Sequence, residues 1–205
     1  MTGQAVVHLV DDDDSLRSAL QRLLTAAGHR VKAYASAGEF LLEPPADGPG
    51  CLLLDLRMPG PSGLELQDAL ERHGILLPVI FLTGYGDLST GVRAMKAGAV
   101  DFLTKPVQRE PLLAAIERAL EADAAGRATR SASAKLQTRF AQLTARERDV
   151  FDLVVAGKLN QQIAEALGIA ERTVKAQRAQ VMAKLGAANA AELGRIAAQL
   201  RGHGL

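Results

Sequence analysis

Short apolar runs alternate with helical patterns over the first 124 residues of the chain. Five runs have the length and composition of buried β-strands: residues 5–10, 30–34, 51–54, 79–82 and 101–104. Apolar side chains recur at helical spacing in four other segments, residues 14–27, 64–72, 87–96 and 111–124. Ser36 and Glu39 have the spacing of a capping box and predict one more short helix. The pattern therefore predicts five strands that alternate with five helices.

Apolar strands joined by helices are typical of a parallel sheet that is covered on both faces. We therefore predict an α/β fold with a five-stranded, parallel, doubly wound sheet. Sheets of this kind bind ligands at the carboxyl ends of their strands. The residues that directly follow each strand are accordingly the first candidates for function.

The second half of the chain shows only helical patterns. Thr144 and Glu147 have capping-box spacing, residues 160–167 and 171–185 read as two helices, and Asn189 can cap a last helix that ends near Leu200. The alanine-rich segment that precedes these helices has no periodic apolar face, which is typical of a linker. Its alanines also permit a helix. We predict three parts: an α/β domain at 1–123, a helical linker at 124–140 and an all-α four-helix domain at 141–205.

Composition excludes several classes of protein. Of the 205 residues, 48% are hydrophobic and 23% are charged, which is typical of folded domains and not of disorder. Cys51 is the single cysteine, so the chain cannot form an internal disulfide. The longest apolar run, residues 75–82, contains Pro78 and is too short to span a bilayer. We expect a cytoplasmic protein with no membrane partner.

Charge divides the chain in the same way as the helical pattern. Residues 1–125 hold 11 Lys and Arg against 17 Asp and Glu, and residues 126–205 hold 13 against 6. An acidic half followed by a basic half indicates two domains with different partners, the basic one binding nucleic acid. The chain has only five Phe and two Tyr, which disfavours binding of single strands by aromatic stacking.

Chemically active side chains follow four of the five predicted strands. Asp11 and Asp12 follow the first strand, Asp55 the third, Thr83 the fourth and Lys105 the fifth. Three carboxylates that meet at one edge of a sheet repel one another unless a cation offsets them, and Mg²⁺ prefers such oxygen ligands. A lysine and a hydroxyl opposite the metal can hold the remaining oxygens of a phosphoryl group. The set therefore predicts phosphorylation of an aspartate, with Asp55 as the nucleophile.

Each of these residues also has an ordinary structural interpretation. An acidic run before a helix is usually an N-cap, which is how we interpret Asp13 and Asp14. Asp55 and Thr83 stand next to glycine-containing loops and can be turn formers, and a single lysine is usually solvated. We favour the functional interpretation because the structural one needs a coincidence at every strand end.

The same residues carry a family resemblance. The sequences VDD at 10–12, DLRMPG at 55–60, TGYGD at 83–87 and KP at 105–106 resemble the signatures of bacterial response-regulator receiver domains, most closely the FixJ-like branch. The resemblance covers about residues 5–122 and implies a flavodoxin-like or CheY-like topology. It implies that Asp55 takes phosphate from a sensor histidine kinase with Mg²⁺ or Mn²⁺ bound.

The resemblance also assigns roles around Asp55. It implies that Asp12, Asp55 and the backbone carbonyl of Arg57 bind the metal directly and that Asp11 acts through water. It implies that Thr83 and Lys105 bind phosphoryl oxygens and that the peptide bond before Pro106 is cis.

A switch that couples phosphorylation to assembly also follows from the resemblance. Phe102 stands at the position of the family's aromatic switch residue, although a plain core Phe is nearly as good an interpretation. When Thr83 is drawn toward the phosphate, space opens that Phe102 can enter. The face formed by residues 87–96, the last strand and the next helix then repacks, and we expect the phosphorylated protein to form a homodimer through it.

The basic half contains a helix-turn-helix pattern. Ala164 permits close approach of two helices, Gly168 makes the three-residue turn and Val174 seats the second helix. LT at 143–144, ERDV at 147–150, TVK at 173–175 and KLG at 184–186 resemble the LuxR/NarL-type DNA-binding domain. The chain departs from that pattern at Gln161, where lysine is common, and at Gln177, where histidine is frequent.

A helical wheel of residues 171–185 predicts a buried face and a DNA-binding face. Alanine methyl groups on the second face can contact thymine, Lys175 can reach guanine and Gln180 can reach adenine. We expect phosphate contacts from the other cations. The predicted DNA-binding residues are Lys158, Arg172, Thr173, Lys175, Ala176, Arg178, Ala179, Gln180 and Lys184. The apolar stripe of the last helix can either dimerise on DNA or close the core.

The sequence thus predicts a phosphorylation-dependent transcription regulator of a two-component system. Its expected partners are a sensor histidine kinase, double-stranded DNA and RNA polymerase. One alternative is an enzyme, a Mg²⁺-dependent phosphatase of the haloacid-dehalogenase type, but Arg57 stands where such enzymes have their general acid. The other is a protein- or RNA-binding module. We expect no turnover of a separate substrate.

Overall fold

The computed structural model describes residues 4–45, 48–84, 95 and 98–201. The chain divides into two compact units, Met1–Gly126 and Arg127–Leu205. The predicted helix at 87–96 and Tyr85 lie outside the described residues, apart from Met95.

The first unit is built on a single sheet of five parallel strands. In chain order its elements are β1 (Val6–Val10), α1 (Asp14–Ala26), β2 (Arg30–Tyr34), α2 (Ala37–Leu42), β3 (Gly50–Asp55), α3 (Gly63–Arg72), β4 (Val79–Thr83), β5 (Asp101–Thr104) and the start of α4 (Arg109–Ala141). The strand order is β2-β1-β3-β4-β5, and every pairing is parallel. The predicted doubly wound parallel sheet is confirmed.

Both faces of the sheet are covered by apolar side chains. One cluster contains Phe40, Leu66 and Phe81, and the other contains Leu24, Ile80 and Ile116. All six residues of β3 are buried, which explains why this strand reads as a continuous apolar run. The central position of β3 also fixes Asp55 at its carboxyl end.

Polar side chains define the starts of the helices next to the sheet. The Asp13 carboxylate accepts hydrogen bonds from the amides of Ser15 and Leu16 and so begins α1. Ser62 and Glu65 form a reciprocal capping box at α3. These caps fix the directions of the loops that follow β1 and β3.

Helix α4 is much longer than the apolar pattern indicated. It begins two residues before Pro111 and continues without a break to Ala141, so the linker segment is helical. Asp123, on this helix, is 3% exposed, and its Oδ2 accepts a hydrogen bond of 3.0 Å from the amide of Gly50, the first residue of β3. A buried carboxylate therefore joins the helix to the start of the central strand.

The second unit has a helical core of its own. Four helices follow the end of α4: α5 (Ala145–Val155), α6 (Asn160–Leu167), α7 (Glu171–Leu185) and α8 (Ala190–Arg201). Leu193, Ala197 and Leu200 of α8 are buried in this core, so the apolar stripe of the last helix closes the unit. No helix in the described part of the chain is both long and apolar enough to cross a membrane.

Candidate functional site

The carboxyl ends of β1 and β3 bring three carboxylates together. One oxygen from each of Asp11, Asp12 and Asp55 lies within 4.8 Å of the others. Asp11 is 0% exposed and Asp55 is 5% exposed, whereas Asp12 is open to solvent. The cluster therefore has two buried carboxylates and one that solvent can reach.

Lys105 is the cation of this site. Its Nζ donates hydrogen bonds to Asp55 Oδ2 at 2.7 Å and to Asp11 Oδ2 at 3.0 Å. The backbone amide of Lys105 donates to the carbonyl oxygen of Thr83 at 2.7 Å, which joins the loop after β5 to the end of β4. The peptide bond between Lys105 and Pro106 is cis.

The loop after β1 is held by contacts with Asp11. The amide of Asp13 donates to Asp11 Oδ1 at 2.9 Å, and Arg17 Nη1 donates to the Asp11 carbonyl oxygen at 2.7 Å. The same guanidinium pairs with Asp14 through Nη2. All three oxygens of Asp11 thus accept hydrogen bonds.

The remaining predicted residues lie around the cluster. Thr83 ends β4 next to β3, is 2% exposed, and its hydroxyl donates to the carbonyl oxygen of Gly84 at 3.3 Å. The backbone amide of Arg57 donates to Asp55 Oδ1 at 3.2 Å. Phe102 is half-buried on β5, where it is in register with Phe81 and packs against the core.

The electrostatics of the cluster favour an added cation. Burial raises the pKa of Asp11, and the hydrogen bond from Lys105 only partly offsets this effect. Burial also lowers the pKa of Lys105, but hydrogen bonds to Asp55 and Asp11 more than compensate, so its pKa lies above the ordinary value. One ammonium group therefore contacts two of the three neighbouring carboxylates and offsets only one of their charges.

The donor set fits Mg²⁺. The ion takes oxygen ligands, keeps several waters and is usually held by one or two carboxylates with phosphate oxygens. Asp12 and Asp55 supply such oxygens close together, and the exposure of Asp12 leaves the metal position accessible. Mn²⁺ accepts the same ligands.

Helix α7 shows the two faces that its sequence predicts. Val174, Val181 and Leu185 are buried in the core of the second unit. The opposite face is exposed and consists of Arg172, Lys175, Ala176, Ala179, Gln180 and Ala183. The alanines keep this face narrow between cationic and amide side chains, a shape that can enter a major groove.

The other predicted DNA-binding residues have different surroundings. Thr173 is half-buried and Lys158 is exposed at the start of the helix pair. Arg178 Nη1 donates to Asn160 Oδ1 at 2.8 Å and so joins α7 to α6. Lys175 lies 3.3 Å from Glu171, with both side chains largely exposed.

Lys184 has a structural partner. Its Nζ donates to the buried Glu147 Oε2 at 2.6 Å and joins the end of α7 to the start of α5. Hydrogen bonds from Lys184 and from the amide of Thr144 lower the pKa of Glu147. A contact of Lys184 with DNA stays a prediction, and any such contact competes with this ion pair.

Sequence reasoning missed three side-chain contacts in the two units. Nothing in the helical pattern distinguishes Asp123 from a solvated acid, because its partner is 73 positions away. Arg17 follows Asp14 at i,i+3 spacing, a signal for their ion pair but not for the bond to Asp11. The capping role of Glu147 was predicted and is confirmed, but its pairing with Lys184 was not.

Comparison with known proteins gives matches over both units. Residues 7–117 match the family described as response regulator receiver domain, and residues 141–197 match the luxR family of bacterial regulatory proteins. Nodulation protein W of Bradyrhizobium diazoefficiens is 44% identical over 197 residues, which is 96% of this chain and 87% of that protein. The transcriptional regulatory protein FixJ of Azorhizobium caulinodans is 42% identical over 191 residues, 93% of this chain and 90% of that protein.

A solved structure resembles the chain over nearly its whole length. The response regulator StyR gives a TM-score of 0.84 at 43% identity and covers 96% of this chain and 100% of its own.

Proposed function

This chain belongs to the bacterial two-domain response regulators, in which a receiver domain precedes a LuxR-type DNA-binding domain, and we propose that Asp55 is the residue at which it is phosphorylated. Regulators of this kind act on transcription in two-component systems, with a histidine kinase as partner. The observation that carries the proposal is the convergence of Asp11, Asp12, Asp55 and Lys105 at one edge of the sheet. Neither alternative function suggested by the sequence accounts for that convergence together with both family matches.

The proposed reaction transfers a phosphoryl group to a carboxylate. An Asp55 oxygen forms a bond to phosphorus while the bond from phosphorus to the kinase histidine nitrogen breaks, and that nitrogen keeps the electron pair. Asp12, Asp55 and the backbone carbonyl of Arg57 would hold Mg²⁺, which would supply positive charge next to the phosphoryl oxygens. Asp11 holds Lys105 and orders the loop that carries Asp12.

Lys105 and Thr83 complete the proposed phosphoryl site. The Lys105 ammonium lies 2.7 Å from Asp55 Oδ2, so a small movement brings it from the carboxylate to a phosphoryl oxygen on the same residue. Thr83 is attached to Lys105 through a backbone hydrogen bond and turns its hydroxyl from the Gly84 carbonyl to another phosphoryl oxygen. The two residues therefore report phosphorylation by changing partners.

The proposed output is dimerisation. Movement of Thr83 lets Phe102, which lies on the neighbouring strand β5 in register with Phe81, rotate inward from its half-buried position. The surface of β5 and the start of α4 then repacks and pairs with a second copy. A dimer places two α7 helices on paired half-sites and presents the bound regulator to RNA polymerase.

DNA recognition is proposed for the exposed face of α7. Arg172 and Lys158 lie open to solvent and can bind phosphates, while Lys175 and Gln180 reach base edges. Arg178 already contacts Asn160, so its proposed phosphate contact comes from a side chain fixed between two helices.

Asp55→Asn tests the acceptor. Wild-type protein incubated with acetyl phosphate and Mg²⁺ should gain one phosphoryl group by mass spectrometry, which hydroxylamine removes as it does from an acyl phosphate, and should become dimeric by light scattering. The variant should do neither. Asp68→Asn is the matched control, because Asp68 is an exposed carboxylate on the neighbouring helix α3. Phosphorylation of the Asp55→Asn protein at the wild-type rate would show that another residue is the acceptor.

Salt dependence tests the DNA interface. Affinity of the phosphorylated protein for duplex fragments should fall steeply with salt, and Arg172→Ala should reduce the slope of log K against log salt by about one. Binding to duplex DNA that does not change with salt would exclude the proposed phosphate contacts.

A further inference from the structure

One arginine holds the loop that carries the acidic cluster. Arg17 lies on the first turn of α1, and its side chain is only 16% exposed. Nη1 donates to the Asp11 carbonyl oxygen at 2.7 Å, and Nη2 pairs with the Asp14 carboxylate. A single planar group therefore bridges the two ends of the loop between β1 and α1.

The bridged loop contains Asp12, the one exposed carboxylate of the cluster. Asp11 is fixed on one side of it by Lys105 and by the amide of Asp13, and Asp13 is fixed on the other side as the cap of α1. The residues on both sides of Asp12 are thus held in place, and the guanidinium of Arg17 connects the Asp11 carbonyl to the Asp14 carboxylate across this segment.

We propose that Arg17 is a positioning residue for the Mg²⁺ site. It promotes Mg²⁺ binding by holding the Asp11–Asp14 backbone so that the Asp12 carboxylate points into the cluster. The inference rests on the proposed Mg²⁺ site. Residues that orient metal ligands through hydrogen bonds typically change metal affinity by about 10- to 100-fold when they are replaced. Arg17 contacts no carboxylate of the cluster in this structure, so its effect is on geometry.

Charge and geometry predict opposite results at this position. A positive charge near a cation site weakens cation binding, so by charge alone Arg17→Met should bind Mg²⁺ more tightly and Arg17→Lys should bind it as the wild type does. If Arg17 positions the loop, both variants bind Mg²⁺ more weakly. Lysine keeps the charge, but its single ammonium lacks the planar fork that reaches two acceptors at fixed angles.

The experiment measures Mg²⁺ binding without phosphorylation. The full-length chain is titrated with Mg²⁺ alone, and the rise in Tm of the receiver domain is fitted to a stabilisation of RT ln(1 + c/Kd), where c is the Mg²⁺ concentration. The fitted Kd is the midpoint, the Mg²⁺ concentration at which half of the folded protein holds the ion. Tyrosine fluorescence follows that domain, since both tyrosines, Tyr34 and Tyr85, lie in its sequence. Arg22→Met is the matched control, because Arg22 is an exposed cation on the same helix.

The expected result is a 10- to 100-fold higher Mg²⁺ midpoint for both Arg17 variants and an unchanged midpoint for Arg22→Met. Loss of stability alone would lower Tm in EDTA without moving the midpoint, and that result overturns the proposal. A tighter midpoint for Arg17→Met also overturns it, since charge then explains the effect. If the wild type shows no Mg²⁺ dependence, the metal site itself is refuted. Arg17→Lys is the decisive variant if Arg17→Met does not fold.

Discussion

Replacing Asp11 by asparagine should stabilise the metal-free receiver domain. Asparagine has nearly the shape of aspartate and keeps an oxygen for the amide of Asp13, which donates to Asp11 Oδ1 in the structure. The substitution removes one of three crowded negative charges from a position that is 0% exposed. It also removes the ion pair with Lys105, so the sign of the effect depends on which interaction is larger.

The distances in the cluster decide the sign. One carboxylate oxygen each from Asp11, Asp12 and Asp55 lie within 4.8 Å of one another. At an effective dielectric constant of about 20, two charges at that limiting separation repel by about 3.5 kcal/mol, and Asp11 has two such neighbours. The attraction to Lys105 at 3.0 Å is about 5.5 kcal/mol on the same scale. The repulsions exceed the attraction by about 1.5 kcal/mol, and relief from burying the charge acts in the same direction. Burial is the largest cause of the raised pKa of Asp11, which agrees with the relief expected from removing a buried charge.

The assay compares unfolding with and without metal. In EDTA, Asp11→Asn should raise the free energy of unfolding of the receiver domain by about 1 to 2 kcal/mol, or its Tm by about 5 °C, followed by tyrosine fluorescence. Saturating Mg²⁺ at about 100 times its dissociation constant should stabilise the wild type by about 2.7 kcal/mol and the variant by much less. A variant that is less stable than the wild type in EDTA would refute the reasoning, because the ion pair would then outweigh the repulsion.

Three further predictions concern residues outside the cluster. Burial lowers the pKa of His8 to about 4, so between pH 6.5 and 4 the unfolded chain takes up a proton that the folded chain does not, and the free energy of unfolding decreases as the pH is lowered. His8→Gln should remove about 1 to 2 kcal/mol of this loss in acid-unfolding curves, and an unchanged dependence of stability on pH contradicts the prediction. Burial raises the pKa of Cys51 to about 12, so a thiol reagent at pH 8 should label the protein only after denaturation. If the native protein is labelled as fast as the denatured protein, this prediction is wrong. Lys184→Met leaves the buried Glu147 without its cation and should destabilise the DNA-binding domain by about 2 to 3 kcal/mol in calorimetry. An unchanged stability contradicts this prediction, and the salt slope for DNA binding, measured beside that of Arg172→Ala, reports whether Lys184 also contacts a phosphate.

Elements with local signals were predicted closely. Strands Arg30–Tyr34 and Asp101–Thr104 and helices Asn160–Leu167 and Glu171–Leu185 have the predicted bounds. Gly168 and Gly186 end the two helices in left-handed conformation, at φ of 63° and 71°, which glycine adopts without strain. Glycine stops, caps and apolar periodicity are properties of neighbouring residues, so the sequence alone displays them.

The long helix α4 shows where local signals end. Its second half lacks an apolar stripe, so periodicity alone indicated a linker, and the prediction that the linker at 124–140 is helical depended on its alanines. Alanine and arginine nevertheless have high helix propensity, and a helix that has already begun is extended without a new nucleus.

The candidate site was predictable because its residues lie at the carboxyl ends of strands or in the loops directly after them. Asp11, Asp55 and Lys105 meet because parallel strands end at one edge, a consequence of topology that does not require side-chain detail. The partners of Arg17 and Glu147 depend on how loops and helices pack, and no spacing rule reports a contact between residues 37 positions apart. The sequence therefore predicts which residues form the site better than it predicts what holds them in place.

The bond between Asp123 and Gly50 sets a limit on how the protein can be shortened. Sequence similarity to receiver domains ends at residue 117, and a fragment cut there would leave the first amide of the central strand without its buried acceptor. Such a truncation would fray β3 at the end opposite Asp55. Anyone who expresses the N-terminal half by itself should place the stop codon after Asp123, within the exposed part of α4.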